Sequence, residues 1–209
     1  MLIISAGMNR SASTWLYNVI RLLIQESASY SNNFRVGWVD DVLEYVDYES
    51  VLLKVHQYDD ELAKKADFIF YSYRDLRDVL ASLKRKFNNN PTLERANLLV
   101  ETDRLWRNQA CYNMRYEDFL HSELEEIKCI ASALDISDVE PKLILKKLEL
   151  LSYDSKGSRN DLYHNDNLFH QGHITDGRIG SWDGELDIEF VKELVDKHKY
   201  WFESNSYSV

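Results

Sequence analysis

Apolar runs and helically spaced apolar stripes take turns along the first half of the chain. Leu2-Ile3-Ile4-Ser5 is a short apolar run that stops at Gly7, the pattern of a parallel strand buried on both faces. Trp15, Leu16, Val19, Ile20 and Leu23 then recur at helical spacing, so the join between them is strand, polar glycine-containing turn, helix. Val51 to Val55 predicts a second strand, and Phe68 to Tyr73 a third that is rich in aromatic residues. Leu76, Val79, Leu80, Leu83 and Phe87 mark the helix after it, which Asn88-Asn89-Asn90-Pro91 breaks. A polar helix follows from Thr92 to about Gln109, and then a fourth strand from Cys111 to Tyr116. Ser122 with Glu125, and Ser137 with Glu140, read as capping boxes that open two more helices. From Ser152 to Trp182 the chain is dominated by Ser, Asn, Asp, Gly and His, the composition of a long functional loop. Ile188, Val191, Leu194, Val195 and Trp201 give a closing helix. Strands alternating with helices predict an α/β fold, a single domain over 1–209 with a mainly parallel sheet flanked by helices.

Composition narrows the setting. With 44% hydrophobic and 29% charged residues, the chain is an ordinary globular protein. Its formal net charge of −10 excludes wrapping a nucleic-acid backbone through the overall field, but a local anion site needs only a few groups. There is no basic leader ahead of an apolar stretch and no run of about eighteen apolar residues, so the reading is cytoplasmic, with neither a signal peptide nor a membrane span. Cys111 and Cys129 read as reduced, partly buried thiols. His164, His170 and His173 lack a standard ligand spacing, so no metal is expected.

The first turn carries the candidate chemistry. Gly7-Met8-Asn9-Arg10-Ser11-Ala12-Ser13-Thr14 joins a strand to a helix N-terminus, where backbone N–H groups and the helix dipole favour an anion. Against the nucleotide-triphosphate loop, Ala12 stands at the second glycine, Ser13 at the lysine and Thr14 at the final Ser/Thr. The missing lysine argues for a related anion site rather than a triphosphatase, with Arg10 as the loop's cation.

Arg10-Ser11-Ala12-Ser13-Thr14-Trp15 resembles the 5′-phosphosulfate loop of sulfotransferases that use 3′-phosphoadenosine 5′-phosphosulfate (PAPS). That loop has Lys or Arg, then Ser-Gly and two Ser or Thr, often before Trp; the departure is Ala12 at the glycine. Four more segments match in family order. Lys54-Val55-His56 is similar to the family's Lys-Thr-His, and Arg74 and Ser82 stand eight residues apart as in its 3′-phosphate motif. Arg115-Tyr116-Glu117-Asp118-Phe119 looks like its Tyr-Glu-Asp segment. Gly177, Gly180 and Trp182 align with its C-terminal glycine-spaced loop, but the basic pair of that loop is replaced by Thr175 and Asp176, leaving Arg178 as the available cation.

The resemblance implies a P-loop NTPase-like sulfotransferase fold and transfer of a sulfuryl group from PAPS to an acceptor hydroxyl or amine, releasing 3′-phosphoadenosine 5′-phosphate (PAP) without a metal. It implies that the backbone and hydroxyls of Ser11, Ser13 and Thr14, with the backbone of Ala12 between them and Trp15 beside them, hold the 5′-phosphosulfate. His56 is then the general base, since an unperturbed pKa of about 6.5 suits that task. Lys54 and Arg10 stabilise charge on the transferring group, Arg10 as a fixed charge because a guanidinium does not give up its proton. Arg74 and Ser82 take the 3′-phosphate, Tyr116 the adenine end, and Gly177, Arg178, Ile179 and Gly180 cover the cofactor. Arg77 and Asp78 are left with only a salt-bridged helix start. A P-loop kinase-like nucleotide enzyme and a non-catalytic PAPS- or PAP-binding module are the competing readings. The acceptor is a carbohydrate or small molecule, bound by residues 30–48, 85–100 and 152–175, where Tyr30, Phe34, Trp38, Tyr45, Tyr163 and Phe169 offer aromatic surface.

Overall fold

The computed structural model describes residues 1–30, 33–41, 50–151, 158–159, 163–170 and 176–209. Five strands make one parallel sheet: β1 Leu2–Gly7, β2 Phe34–Trp38, β3 Ser50–Val55, β4 Phe68–Tyr73 and β5 Tyr112–Arg115, in the order β2-β3-β1-β4-β5. The central strand β1 pairs Ala6 with Val55 on one side and with Tyr71 on the other, so the carboxyl ends of β1, β3 and β4 finish side by side. Strand order switches sides at β1, with β3 and β2 to one side and β4 and β5 to the other, and the crevice beyond those ends is where open α/β sheets bind ligands.

Successive side chains of a strand point to opposite faces, and here helices cover both. Ile3, Leu52, Phe70 and Met114 pack under α1 Ser13–Glu26, α5 Tyr116–Ala133 and α6 Pro141–Glu149. Ile4, Ala6, Val55, Ile69 and Tyr71 pack under α3 Leu76–Phe87, α4 Leu93–Arg107, α7 Ile188–Lys197 and α8 Lys199–Ser204. Double coverage is why these strands read as unbroken apolar runs. Ser5, Lys54 and Ser72 are buried polar exceptions in the three central strands, with Ser5 paired to Lys54 in register.

The structure departs from the sequence-based expectations in several places. Phe34–Trp38, assigned to an acceptor loop, is an edge strand, with Phe34, Val36 and Trp38 packed on the core. A short helix, α2 Asp60–Lys65, was not expected; Asp59 caps it by accepting from Leu62 N. Ser122 sits at a kink inside α5 (φ −149°), and its hydroxyl donates back to the Asp118 carbonyl instead of capping a new helix. Helix α6 starts at Pro141, with Glu140 as its N-cap; proline at the first position lacks only an N–H the helix does not use. The closing helix is interrupted at His198. Cys111 and Cys129 are free but exposed, not partly buried. A two-stranded ladder, β6 Ser158–Arg159 with β7 Tyr163–His164, lies within the long polar segment. No helix among the described residues is long and apolar enough to cross a membrane. Among those residues no group of three His, Cys, Asp or Glu could hold a metal; His173, Tyr45 and Thr175 lie outside them.

Candidate active site

The loop after β1 is built by close contact and backbone strain. Gly7 ends the strand against its neighbour: a Cβ there would stand 2.4 Å from Ser72 Oγ and 2.6 Å from Ser13 Cβ. Met8 N donates to Ser72 O at 2.8 Å, and the fully buried Ser11 hydroxyl donates to Met8 O at 2.6 Å and lies 2.7 Å from Ser72 Oγ. The Ser11 side chain thus ties the turn to β4. Arg10 and Ala12 adopt left-handed backbone angles, φ 65° and 61°, a region that suits glycine. Ala12 occupies the place where the resembled motif has glycine, so the turn keeps a glycine-like conformation with a methyl group on it. The first helical bond of α1 runs from Leu16 N to Ala12 O. The N–H groups of Ser13, Thr14 and Trp15 therefore have no partner within the helix, and neither a side-chain cap nor an acidic residue occupies its first turn. A helix start of this kind favours an anion.

Lys54 and His56 reach the loop from the end of β3. The buried Lys54 ammonium donates to Thr14 Oγ1 at 2.5 Å; burial, then the charge of Arg10, brings its pKa down to about 7. His56 Nδ1 lies 2.6 Å from the Gly7 carbonyl. A carbonyl only accepts, so Nδ1 carries the proton and Nε2 of the neutral ring is left as the basic nitrogen. Loss of solvent around the ring and the neighbouring Lys54 charge push the His56 pKa down to about 3, against the Gly7 bond, so the neutral form prevails at neutral pH. Trp38 flanks both groups: its ring lies edge-on to His56 at 5.3 Å, and the Lys54 ammonium sits 5.6 Å from its centroid.

On the other side of the loop, Arg74 leaves β4 buried over the Tyr116 ring, 4.0 Å from its centroid. Its guanidinium donates to Arg178 O at 2.7 Å and, more weakly, to Arg10 O at 3.4 Å, and pairs with Asp78 at 3.2 Å; its Nε is buried without a hydrogen-bond partner. Arg10 Nε donates to Ser82 Oγ at 2.9 Å, and Tyr116 Oη to Gly177 O at 2.7 Å. A continuous set of contacts thus links Ser82, Arg10, Arg74, Tyr116 and the 177–180 segment. Trp15 packs its ring against Phe119 at 4.6 Å, and Ile179 is exposed. The Arg178 side chain turns outward, 75% exposed, and pairs with Asp176. It presents its carbonyl, not its charge, to Arg74.

Two residues do more than the sequence suggested. Asp78, fully buried, pairs with Arg74 and also accepts from Gly180 N at 2.9 Å, Ser181 Oγ at 3.1 Å and Trp182 N at 3.0 Å. It fastens the 177–182 segment. Arg77 keeps its ion pair with Asp75 and also faces the rings of Trp182 and Phe202. Glu117 was not singled out; it accepts from Asp75 N and from Tyr207 Oη, linking the C-terminal segment to the residue beside Arg74. The signal for Asp78 was its place one helical turn after Arg74; its loop partners lie about a hundred residues away and left no local trace. Of the aromatic residues assigned to the acceptor, Tyr30 donates its hydroxyl to Leu134 O and packs on the core, and Tyr163 bonds Asp41.

No family model matches the chain, and no curated protein matches it in sequence. Solved structures share its fold. A mouse sulfotransferase, SULT7A1, complexed with PAP, is 16% identical with a TM-score of 0.63, the match covering 94% of this chain and 83% of that one. A retinol dehydratase in complex with retinol and PAP is 15% identical (TM-score 0.62, 96% of this chain, 81% of that one). The same enzyme name recurs in a complex with androsterone and PAP, 15% identical (TM-score 0.58, 98% and 80%). At such identities the likeness speaks for architecture, and the chain has the fold of the sulfotransferases.

Proposed function

We propose that this chain is a PAPS-dependent sulfotransferase acting on the hydroxyl or amine of a small-molecule or carbohydrate acceptor. The observation that carries the reading is the gathering of Arg10, Lys54 and Arg74 around the N–H groups that open α1, which have no partner within the helix, in a chain of net charge −10. The site fits such a ligand: the loop is held in an anion-receptive shape, and Arg74 keeps a buried N–H without a partner. The similar structures that hold PAP support the same reading.

PAPS, when bound, supplies a sulfuryl group attached to a phosphate leaving group. The chain's own contribution is positioning and charge. His56 Nε2 takes the acceptor's proton as the acceptor atom bonds to sulfur and the bond from sulfur to the 5′-phosphate oxygen breaks. Lys54 and Arg10 offset the charge that builds on that oxygen. The anion's approach offsets the cations that lower the basicity of His56, so the base strengthens when the donor is in place. The Gly7 carbonyl keeps the ring in the working tautomer throughout.

Titration calorimetry with PAP, without metal and with ATP as control, tests the donor class. Micromolar or tighter binding that ATP does not match is expected; ATP preference in the presence of magnesium would move the chain to the kinase-like reading. Once turnover is measured, His56→Ala should lower it by roughly 10²–10⁴-fold with PAP affinity kept. An unchanged rate would remove His56 from the chemistry.

A further inference from the structure

The resembled C-terminal loop contributes a basic pair that this chain lacks, and Arg178 faces away with its charge held by Asp176. Another cation lies on the inner side. Arg85 follows Ser82 by three residues on α3, so the two share one helix face. Its guanidinium bonds Ser181 Oγ at 3.2 Å and Glu185 Oε1 at 2.5 Å, and its Nε is buried with no hydrogen-bond partner. Arg85 also sits close enough to Arg10 to act on it: burial, then Arg74, then Arg85 lower the basicity of Arg10. Arg10 bonds Ser82, and the two guanidinium groups that act on Arg10, those of Arg74 and Arg85, are paired with Asp78 and Glu185. Two of the three, Arg74 and Arg85, keep a buried N–H with no hydrogen-bond partner among the described residues. A dianionic group with several acceptor oxygens is the ligand such a cluster suits.

We infer that Arg85 is a 3′-phosphate-binding residue of this chain, taking the place of the absent basic pair. The inference rests on the PAPS reading of the site. In it, the Ser181 hydroxyl steadies the guanidinium, and Glu185 is the counter-ion with which the phosphate competes. The 177–182 segment then acts as a cover fastened by Asp78 and contributes backbone to the site, with no side-chain charge of its own.

The test compares PAP with adenosine 5′-phosphate, which lacks the 3′-phosphate, on the full chain by calorimetry. Arg85→Gln should weaken PAP by on the order of 10- to 100-fold and leave adenosine 5′-phosphate nearly unchanged, so the ratio of the two affinities collapses. Arg178→Ala should leave that ratio as it is. Glu185→Gln, which frees Arg85 from its ion pair but keeps its charge, should hold or tighten PAP. If Arg85→Gln weakens both ligands equally, or if Glu185→Gln reproduces its loss, Arg85 only fastens the loop and the inference is overturned. The same holds if Arg178→Ala carries the loss. A wild-type chain that binds neither ligand would instead reject the PAPS reading itself.

Discussion

The loop after β1 and the segment from Gly177 to Trp182 meet at one guanidinium: Arg74 donates to the Arg10 carbonyl of the first and the Arg178 carbonyl of the second. They are held in different ways. The first combines short-range geometry, two left-handed residues and the Ser11-to-Met8 bond, with backbone and hydroxyl bonds to Ser72 on the adjacent strand, which leaves no room for a Cβ at Gly7. The second turns at two left-handed glycines, Gly177 and Gly180, and is fastened to the rest of the fold by side chains. Asp78, Arg85 and Tyr116 hold it from elements 61 to 104 residues distant in the chain. One loop is a preformed cradle; the other is a strap whose place depends on a few long-range polar contacts. The difference implies that opening near the candidate site occurs in the strap, at a free energy set by those contacts.

The largest effect should come from breaking the strap at its centre. Asp78 and Arg74 have side chains 1% and 3% exposed, and removing one partner of a buried pair strands the other. Asp78→Ala should cost about 3–5 kcal/mol of stability, read from urea unfolding, and Asp78→Asn less because it can still accept from the loop amides. Amide hydrogen exchange at Gly180 and Trp182 should speed up in both variants, more in the alanine, while the amides of the loop after β1 change little. Equal acceleration in both loops would mean they open as one unit and would erase the contrast.

The cradle breaks by sterics instead. Gly7→Ala places a methyl group inside contact distance of Ser72 Oγ and Ser13 Cβ, one of them on the neighbouring strand. Overpacking of this kind costs about 1–3 kcal/mol, and the loss should fall on PAP affinity as well, because Ser13 belongs to the anion-receptive turn. Exchange at Gly180 should stay as in the wild type. A variant of wild-type stability and affinity would show that the turn shifts freely and is not preformed.

These unequal origins explain what the sequence disclosed. The cradle was legible because strand, turn and helix lie within about twenty consecutive residues, and because burial on both sheet faces turns strands β1, β3 and β4 into apolar runs. Edge strand β2 was missed because its alternation of Phe34, Val36 and Trp38 with Arg35 and Gly37 is short and only half-buried. The capping boxes failed because a serine hydroxyl has other acceptors in reach, as Ser122 shows with the Asp118 carbonyl. Asp78 and Arg85 looked like ordinary helix charges. What makes them site residues is the segment they hold, and tertiary folding alone brings it there.

Lys54 sharpens the comparison through pH, because its charge belongs to the cradle and not to the strap. Its pKa of about 7 lies below that of a solvated lysine, so above pH 7 the free protein has lost a proton that an anion would favour keeping. Bound PAP raises that pKa, and binding then takes up a proton. Through Lys54, affinity should be independent of pH below pH 7, where the ammonium is already charged, and fall above it, by at most about tenfold per pH unit. Calorimetry at pH 8 in two buffers of different ionisation enthalpy measures the uptake directly; Lys54→Arg should abolish it, and Asp78→Asn should leave it in place. Zero uptake in the wild type at pH 8 would mean that Lys54 is either charged already or out of reach of the ligand.

The smallest effect is the most specific to the cradle. Ala12 holds a left-handed conformation at φ 61°, which costs an L-residue about 1–2 kcal/mol relative to glycine. Glycine would remove that strain but widen the freedom of the unfolded chain, returning about 0.4–1 kcal/mol. Ala12→Gly should therefore be neutral to stabilising, by no more than about 1.6 kcal/mol, and should leave PAP affinity unchanged, since the N–H groups of Ser13, Thr14 and Trp15 keep their directions. Urea midpoints of the two proteins decide it. A clear destabilisation would mean that the Ala12 methyl does more by packing on the core cluster of α1 than its backbone strain costs, and that the turn at this position is held by side-chain contact rather than by conformation.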